Sequence, residues 1–112
     1  MTGPRLLVVN ADDFGFTPDV NDGILEAHRN GILTATTLMA GGEAFEHAVH
    51  LARLNPSLDV GCHLTLIGGN SLVPPHNPLP FSVPRLVESL VRRRVCAYDE
   101  FVAQVRRIRA AV

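Results

Sequence analysis

The chain has 112 residues, 46% hydrophobic and 5% aromatic with no Trp, and a net charge of −1. That length suits one domain around a core of Leu, Val, Ala and Ile, and the charge argues against a bulk polyanion such as nucleic acid as partner. All ten basic residues are Arg, and Arg92-Arg93-Arg94, Arg106, Arg107 and Arg109 have no interleaved aromatics to stack bases, so they read as solvated helix faces.

Cys62 and Cys96 lack the spacing of a zinc knuckle or a disulfide framework. No basic-then-apolar leader and no apolar run of the ~20 residues a membrane span needs is present. A soluble cytoplasmic protein is the expectation.

The first element is residues 6–9, Leu-Leu-Val-Val, an uninterrupted apolar run ending in two β-branched residues, of the kind buried on both faces of a parallel sheet, stopped by Gly15 and Pro18. Asp12 and Asp13 then fall at its carboxyl end, where α/β sheets and βα-barrels gather their chemistry. Neighbouring residues there point in opposite directions, so one acid can hold a cation while the other takes a proton. An Asp pair also suits a plain turn.

Thr17-Pro18-Asp19 signals a helix start, and Val20, Ile24, Leu25 and Ala27 recur at helical spacing until Asn30-Gly31. Residues 32–40, rich in Thr and apolar side chains, predict a second strand ended by Gly41-Gly42. Residues 43–54 predict an amphipathic helix carrying Phe45, Ala48 and Val49 and stopped by Asn55-Pro56. Residues 58–66 predict a third strand, with His63 among apolar neighbours.

The order β-α-β-α-β calls for a parallel sheet. Residues 67–84, with Gly68-Gly69 and five prolines, form a loop longer than the ~12 residues usual in compact domains, which suggests an active-site lid. Helices follow over 83–94 and 98–112.

Asp12, Asp13 and His63 thus share one rim of the sheet. A carboxylate with an imidazole is half of a divalent-metal site, and a second, unligated carboxylate beside it is the general base that metal-assisted hydrolysis needs. His28, His47 and His50 fall on predicted helices and His76 in the proline loop, all four at expected surface or lid positions.

Three blocks carry a resemblance: Val9-Asn10-Ala11-Asp12-Asp13-Phe14-Gly15, Gly31-Ile32-Leu33-Thr34-Ala35-Thr36-Thr37 and Gly61-Cys62-His63-Leu64-Thr65-Leu66. In order and spacing they resemble the opening of the YdjC/ChbG-like carbohydrate deacetylases, over about residues 5–70. The resemblance implies a βα-barrel of the polysaccharide-deacetylase-like type, a divalent metal, Mg2+ or Zn2+, and hydrolysis of an N-acetyl group from an amino sugar or oligosaccharide. Carried over, Asp12 matches the catalytic base, Asp13 the metal-binding carboxylate and His63 the first metal-binding histidine. Asn10, Thr36 and Thr37 become candidates to support them.

The histidine-rich block that relatives carry on a later strand is absent. The expectation is therefore a single domain, 1–112, forming the N-terminal part of such a barrel, inactive by itself and prone to form homo-oligomers. The alternative is a non-catalytic remnant or assembly module completed by another chain. A nucleotide-binding βαβ unit ranks third, because acids stand where its phosphate turn would be.

Overall fold

The computed structural model describes residues 3–112. Its centre is a parallel sheet in the order β1-β2-β3, made of β1 (Asn10–Phe14), β2 (Ala35–Leu38) and β3 (Asp59–Cys62). Helix α1 (Pro18–Asn30) links the first two strands and α2 (Phe45–Leu54) the next two, and the two helices pack on each other. α3 (Val83–Val91) and α4 (Ala97–Ala111) follow the long loop.

The sheet, α1 and α2 close over one apolar cluster. Phe14 and Leu38 enter it from the strand ends, Ile24 and Leu25 from α1, and Phe45, Ala48, Val49 and Ala52 from α2. Ile108 of α4 joins them, and the Arg107 guanidinium lies 4.2 Å over the Phe45 ring. These are the faces the helical periodicity picked out on α1 and α2. None of α3 is buried.

The first strand differs from its sequence reading. Residues 6–9 are not the buried strand: Leu6, Leu7 and Val8 are 92%, 78% and 71% exposed, and β1 begins at Asn10. The reason is register. Asn10 pairs with Ala35, the first residue of β2, so the chain before it has no strand beside it. Val9 is still held, its carbonyl accepting from Thr34 and Ala35 and its amide donating to the Thr34 hydroxyl. The acids accordingly lie within the last residues of β1, not beyond it.

The other two strands are shorter than read, because each lasts only as long as its neighbour. His63 adds one rung, its amide donating to the Leu38 carbonyl at 2.9 Å, and stands just past β3.

The long loop is tied down by α4. Glu100, Gln104 and Ile108, spaced by four, form the buried stripe of that helix. Glu100 accepts from the Ser71 hydroxyl at 2.6 Å and the Leu72 amide at 3.0 Å, while Gln104 pairs with both the amide and the carbonyl of Thr65. Two polar side chains occupy helix positions normally apolar because they satisfy loop backbone that has no strand partner.

Candidate functional site

The site is built on an irregularity in β1. Ala11 pairs with Thr36 and Phe14 with Leu38, so three steps on β1 face two on β2 and one residue is extra. Asp13 sits at this bulge with φ 67°, in the left-handed region that Asp tolerates better than most residues. Bulges of this kind re-aim side chains. Here the bulge brings Asp13 to the rim where Asp12 already points, although regular alternation would have sent the two apart.

The partners divide cleanly. Asp12 Oδ1 accepts from the Thr37 hydroxyl at 2.8 Å and from Asn10 Nδ2 at 2.9 Å. Those two bonds, Thr37 first, hold its carboxyl below the usual carboxylate range, outweighing desolvation, and the nearby His63 adds to them more weakly. Asp13 instead meets His63: its amide donates to Nδ1 at 3.2 Å and its Oδ1 stands 3.5 Å from the same nitrogen. The Thr37 Oγ1 completes the knot at 3.3 Å from Nδ1.

An amide N–H donating to Nδ1 requires that nitrogen to be unprotonated, so its lone pair accepts from the Asp13 amide and would pass to a cation bound in the amide's place. Two donors each ~2.1 Å from one tetrahedral ion lie roughly 3.4 Å apart, close to the observed Oδ1 to Nδ1 distance of 3.5 Å. The Asp13 and His63 pair therefore fits a divalent cation as part of its donor set. Among the described residues no group of three or more His, Cys, Asp and Glu is poised to complete it.

A cleft of about 650 Å³ opens among the loops that leave the strand ends, lined by Phe16, Met39, Thr65, Asn70 and His76 among others, while Asp12, Asp13 and His63 lie outside its lining. It is large enough for a sugar ring or two, with an exposed aromatic at one side.

The other expected residues separate by role. Thr37 reaches the acids, but Thr36 is buried and donates to the Ala11 carbonyl across the sheet, a packing role. His28 bridges the Leu33 carbonyl and the Ser57 hydroxyl at 2.8 and 2.9 Å, stapling loops away from the strands' carboxyl ends. His50 and His76 are exposed, and His47 contacts Asn21. Asn21, Glu100 and Gln104 escaped the sequence reading. Their one signal is a polar side chain at helical spacing within a buried face, Asn21 with Ile24 and Leu25 and the other two with Ile108.

With the geometry in place, comparisons give it a family. The profile of the YdjC-like proteins matches residues 6–111. The chain belongs to the YdjC-like family. Two curated relatives are the carbohydrate deacetylase of Brevibacillus brevis, 49% identical over 88 residues, and carbohydrate deacetylase 2 of Listeria innocua, 54% identical over 66 residues. These alignments take in 79% and 59% of this chain, but 33% and 27% of the relatives.

A crystal structure from Enterococcus faecalis V583, of a protein assigned to cellobiose-phosphate cleavage, superposes with a TM-score of 0.76 at 31% identity. It covers 93% of this chain and 43% of that one. The YdjC-like chain described here thus spans about a third of the length of the curated relatives it matches. Among its described residues no helix is long and apolar enough to cross a membrane.

Proposed function

We propose that this chain supplies the base and two metal donors of a carbohydrate N-deacetylase, an enzyme that hydrolyses an N-acetyl group from an amino sugar or oligosaccharide. The observation that carries the reading is the division of the acidic pair, Asp12 on Thr37 and Asn10, Asp13 on His63. Two adjacent carboxylates with separate partners are suited to separate tasks.

Asp13 and His63 would hold the ion, Mg2+ or Zn2+. A bound divalent cation supplies Lewis acidity toward the amide carbonyl and acidifies water beside it. Asp12, with Oδ1 engaged by Thr37 and Asn10, keeps Oδ2 without a partner among the described residues, and that oxygen takes the proton of the attacking water. The lowered carboxyl keeps it ionised and ready to accept. Phe16 offers an apolar face of the kind on which sugar rings stack.

The same reading makes β1 to β3 the opening of a βα-barrel. Its support is the outer edge of β1, unpaired among the described residues, and the exposed Leu6, Leu7 and Val8 before it, which a further strand and helix would cover. That open edge equally suits the second reading, an assembly module without chemistry of its own.

Acetate release and metal content of the longest natural form of the protein separate the two. Asp12→Asn should abolish turnover with metal content near normal, whereas Asp13→Asn should lose both. Equal metal retention in the two variants would overturn the assignment of roles, and an inactive wild-type protein would favour the assembly module.

A further inference from the structure

Asn21 lies on α1, fully buried, and each polar atom of its carboxamide is engaged. Oδ1 accepts from the Gly15 amide at 2.6 Å, while Nδ2 donates to the Ala44 carbonyl at 3.1 Å and faces His47 Nδ1 at 3.2 Å. One side chain on α1 therefore ties the turn after β1 to the start of α2. These two segments touch directly as well. Ala44 donates to the Gly15 carbonyl at 2.9 Å, and a Cβ at Gly42 would collide with that same oxygen.

We propose that Asn21 is a positioning residue of the acidic site. It pins the turn that holds the Asp13 bulge, a proposal that rests on reading Asp13 as a metal donor. Asp13 occupies a left-handed conformation, and such a conformation persists where the surroundings over-determine it. The turn has one internal bond, from the Phe16 amide to the Asp13 carbonyl at 3.0 Å, and the Gly15 amide inside it finds its partner in Asn21. Gly15 is itself at φ +96°, so both residues flanking Phe14 carry left-handed backbone. With the Oδ1 bond removed, a buried amide is orphaned, the turn relaxes toward regular strand, and the Asp13 carboxylate leaves His63 Nδ1.

The two ends of the carboxamide can be separated by substitution. Asn21→Asp keeps an acceptor for Gly15 and loses the donor to Ala44, whereas Asn21→Ala loses both. In the full natural chain both variants should unfold at lower temperature. Only Asn21→Ala should also weaken Zn2+ affinity, by ~10–100-fold in chelator competition, the usual consequence of losing a group that orients a ligand, and speed hydrogen exchange at the Asp13 and Gly15 amides.

Asn21→Leu, which keeps the branched shape, replaces Asn21→Ala if that variant does not fold. Equal loss of affinity in the Asp and Ala variants, or none in either, overturns the proposal. Should the wild-type protein bind no divalent metal, it is the reading of Asp13 that fails, and amide exchange then decides alone. Acceleration in Asn21→Ala but not in Asn21→Asp supports the pin, and equal rates in all three refute it.

Discussion

Asp13 and His63 stand 50 positions apart in the chain and meet through one nitrogen, His63 Nδ1, which takes the Asp13 amide at 3.2 Å and faces the carboxylate at 3.5 Å. The contact spans the whole sheet, from its first strand to its third. It exists because β1, β2 and β3 run parallel with their carboxyl ends on one rim, and because the bulge in β1 rotates Asp13 toward that rim.

His63→Ala tests that contact in the full natural chain. The imidazole sits past the strand end, so its loss should cost stability only about 0.5–1.5 kcal/mol, the worth of one net hydrogen bond. Metal affinity should fall by at least about tenfold, as the loss of a donor requires. Urea unfolding and chelator competition read the two quantities, and a large loss of stability with unchanged affinity in the folded variant would make His63 a core residue.

Thr37→Val tests the cause of the lowered Asp12 carboxyl. The Thr37 hydroxyl bond is its largest cause, so without it the carboxyl should titrate closer to its ordinary 3.8. A base must be ionised, and a higher carboxyl pKa moves the acid limb of kcat/KM to higher pH. Carbon-13 NMR of the Asp12 carboxyl gives the same answer without catalysis. An unmoved titration would mean that Asn10 and His63 account for the shift.

Glu100→Gln tests how the long loop is held. Burial raises the Glu100 carboxyl, but the bonds from Leu72, Ser71, Gln104 and Val73 outweigh it and leave it below its ordinary 4.5. Because the folded value is depressed, this contribution is complete above about pH 4.5 and is lost as pH falls through the folded value. The variant turns an amide nitrogen toward a donor and should cost about 1–3 kcal/mol. Its stability should also depend less on pH below 4.5, and parallel acid-unfolding curves for the two proteins would contradict this.

The open edge predicts the behaviour of the 112-residue chain by itself. Unpaired strand edges beside apolar side chains pair with other chains, and Leu6, Leu7 and Val8 are exposed beside the free edge of β1. Light scattering should show an oligomer, Leu7→Glu should shift it toward monomer, and acetate release should be absent with Mg2+ or Zn2+. A monodisperse, active monomer would show that the donor set is complete within these residues.

The amino-acid sequence by itself determined the alternation of strands and helices, the buried faces of α1 and α2, and the common rim of Asp12, Asp13 and His63. Each follows from local signals: periodicity, capping residues and glycine or proline stops, whose physics acts within a few positions. Tertiary structure alone decided where β1 begins, because a strand is defined by the neighbour it pairs with, and Leu6, Leu7 and Val8 have none among the described residues.

It also decided that the side chains of Asp12 and Asp13 turn to the same side of that rim, against regular alternation, since the bulge at Asp13 arises from the register of two segments 25 residues apart. The same holds for Asn21, Glu100 and Gln104. A polar side chain on a buried face reads as a flaw in the pattern until the distant backbone it satisfies, at Gly15, Leu72 and Thr65, is brought to it by the fold.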